Sequence, residues 1–280
     1  MTQISVLISV YGKEDASQLH QAIDSVWTAQ TLKPSQIILI QDGPVPSELT
    51  AEIAFWQKEL GDILTLLQNP VNMGLTHSLN KGLAAVRGDV IARMDSDDRS
   101  APQRFELQTA FLDSHPDTDI LGGSIQEFDE SDSCLNVRHY PLTHEAAVAM
   151  IHKASPLAHP TVMMRRRIFD EGLRYNEHYR TSQDIALWYD AIAKGYRIAN
   201  LPDIILHFRR TGNVYQRRSK AKAWNEFLIY MGGIYRLFGL FTFKYIFPIS
   251  RLCFRLMPVS IIRRIYKSPL RRFITENKIS

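Results

Sequence analysis

The first hundred residues repeat one pattern that few folds can use: a short run rich in Ile and Val, closed by turn residues or an acid, followed by a helical stretch. Ile4 to Val10 and Gln36 to Gln41 are such runs. Without a polar face they suit buried parallel strands. Between them, Ala16 to Ala29 sets Leu19, Ile23, Val26 and Trp27 at spacings of three and four, the single apolar face of a helix covering a sheet. The rhythm predicts a helix over 47–60, a strand over 63–68, a helix over 75–86 and a strand over 89–94. This half is therefore α/β and doubly wound. Ligands of such sheets gather beyond the carboxyl ends of the strands, and three of these strands end at Tyr11, Asp42 and Asp95.

After Asp98 the pattern predicts a helix over 102–114, a mixed stretch through 123–128, helices over 144–152 and 184–194, and two short strands over 196–201 and 204–209. Charge divides the chain. Residues 205–280 hold 16 Lys and Arg against 2 Asp and Glu, and residues 1–204 hold 17 against 27. An acidic body disfavours nucleic acid as the main ligand, so none is expected as a partner. The basic tail, 227–273, is apolar and aromatic, yet Arg236, Lys244, Arg251 and Arg255 interrupt it, leaving no clean span of about 20 residues. On one helix these four cations fall within about 100° of each other. That stripe suits segments broken at Pro248 and Pro258 and lying on an anionic membrane, or a basic helix packed on the body. The two cysteines, Cys134 and Cys253, have no metal or disulfide spacing, and the N-terminus lacks the basic start of a secretory signal. A reducing, cytoplasmic setting is expected.

The strongest chemical signal is GDVIARMDSDDRSAP, in which an apolar strand delivers three carboxylates onto a loop. Acids this close repel one another and call for a cation. Carboxylate oxygens are hard ligands for Mg²⁺ or Mn²⁺, with a substrate diphosphate as the usual co-ligand. The same residues also suit a solvated acidic loop capping the next helix, with Ser100 or Asp98 as the cap and Pro102 in its first turn.

Over residues 3–215 the chain resembles the inverting family 2 glycosyltransferases of GT-A fold, in particular the non-processive bacterial enzymes of exopolysaccharide and lipopolysaccharide assembly. Seven ordered motifs carry the resemblance: SVLISVYG (5–12), QAIDSVWTAQ (21–30), IILIQDG (37–43), NMGLTHSLNKGL (72–83), GDVIARMDSDD (88–98), HPTVMMRR (159–166) and QDIALW (183–188). The resemblance implies a GT-A domain at 1–220, with a nucleotide-binding half at 1–100 and an acceptor half at 101–220. A basic, amphipathic, membrane-associating helical tail would then occupy 221–280.

Carried over to this sequence, the resemblance implies that Val10, Tyr11 and Gly12 line the nucleobase pocket and that Asp42 hydrogen-bonds the base. Asn72, Gly74 and Asn80 would pass close to the nucleotide, although Asn80 equally suits a locally satisfied helix position. Arg93 and Asp95 would lie near the ribose and sugar, with Asp97 the principal ligand of Mn²⁺ or Mg²⁺ and Asp98 nearby. Asp184 matches the family's catalytic base, and it or Ser182 also suits a helix cap. His159 and Gln183 are weaker acceptor candidates, and Arg209, Arg210 and Arg217 candidates for the diphosphate, since Arg forks match phosphate oxygens. Trp188 reads as core.

Two departures matter. Gln183 stands where the family usually has an acid, and the QxxRW motif of processive synthases is missing from RRTGNVYQRRSKA. Single-sugar transfer is therefore expected, and the resemblance implies a hexose or N-acetylhexosamine moved from a UDP-sugar to a lipid-linked saccharide at the inner face of the cytoplasmic membrane. A metal-dependent nucleotidyltransferase would want a basic Gly-rich N-terminal loop, which SVYGKEDAS is not. A non-catalytic membrane adaptor would be free to lose Asp97 or Asp184, and both are present.

Overall fold

A computed structural model describes residues 2–210 and 220–257. Its strands are β1 (Ile4–Tyr11), β2 (Gln36–Asp42), β3 (Leu64–Asn69), β4 (Val90–Asp95), β5 (Arg99–Ser100), β6 (Thr118–Phe128), β7 (Cys134–Arg138), β8 (Met163–Arg165) and β9 (Arg197–Arg209). They form one sheet ordered β3-β2-β1-β4-β8-β6-β9-β5, with β7 also paired to β6. β3, β2, β1 and β4 run parallel. β8 then runs antiparallel to both β4 and β6, so the sheet reverses direction at its centre.

The helices are α1 (Ala16–Val26), α2 (Ser47–Leu60), α3 (Leu75–Leu83), α4 (Arg104–Ser114), α5 (His144–Met150), α6 (Arg167–Asp170), α7 (Gln183–Ala193), α8 (Lys220–Phe238) and α9 (Ile246–Leu256). Strand alternation distributes them over two faces. Ile37 and Leu39 join Leu19, Ile23 and Ile53 of α1 and α2 in one core, while Ile38 and Ile40 meet Leu79 and Leu83 of α3 in the other. α1 starts where the Asp15 carboxylate accepts the Gln18 N–H at 3.1 Å, and it ends at Val26 because Trp27 leaves helical geometry.

Two elements differ from the sequence expectation. The expected pair of strands after residue 196 is one strand, β9, whose ladder with β6 slips between Leu201 and Ile204. Pro202 lies in the slip and has no N–H to donate, which explains why the sequence reads as two pieces. The tail differs in which face it turns outward. α8 belongs to the second core through Ile229, Tyr230 and Ile234, with Tyr230 edge-on to Tyr189 of α7 at 6.0 Å between centroids. The four cations of the stripe turn toward protein partners. Arg236 pairs with Asp190, Arg251 with Glu226 at 2.9 Å, Arg255 also with Glu226, and Lys244 sits 4.5 Å over the Phe238 ring. Apolar side chains also face outward beside them: Trp224, Leu228, Tyr235, Leu240, Ile246, and Phe241 at 98% exposure. Among the described residues no helix is long and apolar enough to cross a membrane. Residues 258–273 of the stretch expected to lie on a membrane fall outside the described residues.

Adjacent glycines test the α7–α8 packing. A Cβ on Gly233 would lie 2.3 Å from the Tyr189 ring, whereas one on Gly232 would meet nothing within 4 Å. Gly232→Ala should stabilise the protein by about 0.5–1 kcal/mol through helix propensity, and Gly233→Ala should destabilise it by about 1–3 kcal/mol through overpacking. Urea unfolding midpoints measure both.

Candidate active site

Register brings the polar strand ends to one edge. Tyr11 lies beside Asp42, Asp42 beside Asn69, and Ser9 beside Asp95. Val10 points its side chain into the first core, whereas Tyr11 is 39% exposed at this edge. Gly12 is pressed under Pro44, whose carbonyl oxygen would stand 2.9 Å from a Cβ there.

Asp42 is buried, and its carboxylate clamps the loop between β3 and α3. Oδ1 accepts Asn69 Nδ2 at 2.9 Å and the Met73 N–H at 2.8 Å, and Oδ2 accepts the Gly74 N–H at 2.8 Å. Gly74 has a φ of 90°, which favours glycine, and there it begins α3. The Asn72 amide leans on the Asp42 carbonyl at 3.4 Å. Asn80 is committed to another segment: its Nδ2 donates to the Tyr175 carbonyl at 2.8 Å and to Glu177 at 3.0 Å, and its Oδ1 accepts the Tyr175 N–H at 3.0 Å.

Past the end of β4, Asp95, Asp97 and Asp98 each present a carboxylate oxygen, all within 4.8 Å of one another. Asp98 is fully buried. Its Oδ1 accepts the Arg209 N–H at 2.8 Å, but its Oδ2 has no hydrogen-bond partner. An orphaned buried oxygen among all-oxygen donors fits a divalent cation of the Mg²⁺ or Mn²⁺ type. Burial, then the neighbouring Asp95 and Asp97, raises the Asp98 carboxyl well above its ordinary range, and burial followed by Asp95 raises Asp97. Glu14 joins them: burial, then Asp97 and Asp95, pushes it up to about 7, against the lowering effect of a Ser96 hydrogen bond.

Two buried guanidinium groups offset this negative charge. Arg93 pairs with Asp95, and its Nε and Nη1 have no hydrogen-bond partner. Its charge also lowers the carboxyl pKa of Asp97, Asp98 and Asp184 and the imidazole pKa of His159, so it stands electrostatically between all four. Beneath it Arg104 donates to the Arg93 carbonyl at 2.8 Å and to Gln108 at 3.1 Å, with no carboxylate partner among the described residues. Burial, followed by the charge of Arg93, lowers Arg104 to about 9. Arg209 braces the acidic loop, with Nε on the Asp97 carbonyl and Nη2 on Gln21, both at 2.8 Å. Arg210 lies 3.6 Å from Glu127, and Arg217 falls outside the described residues.

Asp184 lies in the first turn of α7. Burial raises its carboxyl, while the Ile185 N–H and Arg93 hold it down. The segment leading to it is tied from two sides, by Thr76 Oγ1 to the Tyr179 carbonyl at 2.8 Å and by Asn225 Nδ2 to the Thr181 carbonyl at 3.2 Å. Ser182 precedes the helix at a φ of 60°, a left-handed conformation uncommon outside glycine. Gln183 is buried, as is Trp188 in the core. His159 shares a 2.8 Å hydrogen bond with the Tyr175 hydroxyl, and burial, then Arg93, holds it well below the usual imidazole range and so neutral.

The fold thus gathers Asp95, Asp97, Asp98, Asp184 and His159 around Arg93, with Tyr11, Asp42, Asn72 and Gly74 along the neighbouring edge. Sequence reasoning missed Glu14 and Arg104. Glu14 stands two residues after Gly12, where an acid following a strand was the available signal. Arg104 begins a helix whose buried face, Arg104, Phe105, Gln108, Thr109 and Leu112, is largely polar, so the linear sequence offered no signal for its burial.

Comparison with known proteins bears on the family and the fold. The chain is 31% identical over 271 residues to the amylovoran biosynthesis glycosyltransferase AmsE of Erwinia amylovora, covering 94% of this chain and 97% of that one. It is 29% identical over 274 residues to the UDP-Gal:alpha-D-GlcNAc-diphosphoundecaprenol beta-1,3-galactosyltransferase of Escherichia coli, covering 97% and 98%. The solved mannosyltransferase PcManGT of Pyrobaculum calidifontis, in complex with GDP-Man and Mn²⁺, superimposes with a TM-score of 0.63 at 13% identity, covering 98% of this chain and 83% of that one, a likeness of GT-A fold. The model of Glycosyl transferase family 2 matches residues 5–173, more than half of the chain, and the protein is therefore a member of that family of glycosyltransferases.

Proposed function

We propose that this glycosyltransferase moves a single hexose or N-acetylhexosamine, with inversion, from a UDP-sugar to a lipid-linked saccharide in surface polysaccharide synthesis, at the inner face of the cytoplasmic membrane. The carrying observation is the placement of Asp184 and the Asp95–Asp98 cluster about one buried cation, Arg93. A carboxylate for the acceptor and a set of oxygens for a metal and diphosphate thereby share one electrostatic centre. The Escherichia coli relative, named for a UDP-sugar donor and a diphosphoundecaprenol acceptor, supports this choice of substrates. The Mn²⁺ in the archaeal neighbour supports the metal.

Asp95, Asp97 and Asp98 would hold Mn²⁺ or Mg²⁺, which when bound supplies Lewis-acid stabilisation of the leaving diphosphate. Asp42 holds the loop carrying Asn72 and Gly74 against the nucleotide edge, and Arg93 keeps Asp95 oriented. Asp184 accepts the proton of the attacking acceptor hydroxyl as the new glycosidic bond forms and the bond to the diphosphate breaks. Its carboxyl, raised by burial and held ionised by a helix N-terminal N–H and Arg93, is a better proton acceptor than a solvated aspartate. A non-catalytic adaptor would gain nothing from clustering Glu14 with three aspartates.

UDP with Mn²⁺ should raise the melting temperature, by an amount equivalent to about 2.7 kcal/mol at one hundred times Kd. EDTA should abolish the response, as should Asp97→Ala. A thermal-shift titration reads both, and a response indifferent to metal would sink the proposed diphosphate site. Asp184→Asn should lower kcat by about 10²–10⁴-fold with donor affinity unchanged, as measured by radiolabelled sugar transfer alongside donor binding. Because Asp184 acts ionised and its pKa is raised, kcat should fall as pH drops through a midpoint above the ordinary Asp value of about 3.9. A pH–rate profile of kcat checks this, and an acid limb at or below that value would contradict the assignment.

A further inference from the structure

Beside the Asp184 loop, on the side facing α8, lies an open groove of about 490 Å³ lined by His178, Arg180, Thr181, Lys222, Trp224 and Asn225. Its floor is fixed, because Asn225 reaches across from α8 to the Thr181 carbonyl at 3.2 Å. Thr181 is three residues from Asp184, a separation of at most about 10 Å of backbone. The groove therefore opens close to Asp184, and none of Asp95, Asp97 and Asp98 lines it.

Its lining combines cations with an aromatic ring. Arg180 is exposed and pairs with no carboxylate among the described residues, although Arg236, Arg251 and Arg255 on the adjoining helices each have one. Lys222 is exposed on the first turn of α8, and His178 is exposed on the segment before Asp184. Trp224 is 53% exposed, with its ring 5.3 Å from that of Phe227. From Trp224 an exposed apolar line follows α8 through Leu228 and Tyr235, one face by helical spacing, toward Leu240 and Phe241 beyond its end. Two cations opening onto an apolar track match a molecule with a phosphate head and a hydrocarbon tail.

We infer that this groove binds the diphosphate of a polyprenyl-diphosphate-linked acceptor, with Arg180 and Lys222 on the phosphates and Trp224 and Leu228 under the first isoprenoid units. The acceptor sugar then projects toward Asp184. The assignment rests on the transferase reading of Asp184, and it adds a second phosphate site distinct from that of the donor. Arg suits this role because its fork matches phosphate oxygens, and a half-exposed indole offers flat apolar area.

Isothermal titration calorimetry of the full chain with farnesyl diphosphate, farnesol and inorganic pyrophosphate tests the site, with phosphatidylglycerol vesicles as the control for a merely anionic surface. Farnesyl diphosphate should bind at least tenfold more tightly than either fragment, and saturating UDP with Mn²⁺ should not displace it. The double variant Arg180→Ala/Lys222→Ala should weaken it at least tenfold while keeping the wild-type melting temperature and response to UDP. The inference is overturned if the double variant binds farnesyl diphosphate like wild type, if UDP with Mn²⁺ competes it away, or if vesicle binding falls in parallel. A protein that responds to UDP but ignores farnesyl diphosphate loses the groove and keeps the transferase reading. One that binds farnesyl diphosphate through Arg180 and Lys222 but ignores UDP keeps the groove and loses that reading.

Discussion

A guanidinium buried at the carboxyl end of a central strand is the constraint on which this molecule depends. Removing an unpaired charge from water is among the costliest things a fold can do. Arg93 is tolerable because Asp95 pairs with it and because Asp97, Asp98 and Asp184 surround it with opposite charge. The dependence is mutual, since those carboxylates crowd together only with a cation among them. Arg104 adds a second buried cation one layer down, holding the Arg93 carbonyl. The site is thus held by long-range electrostatic balance, with its two unpartnered Arg93 nitrogens and the orphaned Asp98 oxygen as the unsatisfied remainder that a charged ligand would complete.

The reversal of the sheet makes this convergence possible. Four parallel strands deliver Tyr11, Asp42, Asn69 and Asp95 to a single edge, as any doubly wound sheet would. The antiparallel strand β8 beside β4 then turns the second half of the chain back over that edge. His159 lies just before β8, so the reversal places it by the end of β4, while Asp184 opens the helix that leads into β9. Hydrogen bonds from α3 and α8 tie down the 175–181 segment that leads to Asp184.

The tail shows how burial can invert the meaning of a pattern. Its cations do form a stripe, but acids on α7 and α8 meet three of them and aromatic rings the fourth. Beside these paired cations Phe241 and its apolar neighbours also face outward, as does Trp224.

The β-α-β order, the strand-end positions of Tyr11, Asp42 and Asp95, the acidic loop and the helix start at Asp184 were all legible in the linear sequence. They follow from local periodicity and from the chemistry of neighbouring residues, which a sequence carries directly. The family resemblance, and not this local logic, assigned Asp42 to a base and Arg209 to a diphosphate. The fold adds what the linear sequence does not carry: Asp42 clamps the loop before α3 and Arg209 braces the acidic loop. Glu14 entered no sequence reading of the site, and the cations of the tail read as one stripe suited to a membrane or to packing on the body. Each of these depends on a partner tens to hundreds of residues away, as Arg209 does on Gln21, and on how much water the packing removes. Periodicity determined which elements form and where their polar ends lie; only tertiary contact decided which charges face one another, because Coulomb energy and desolvation depend on distance through space and not along the chain.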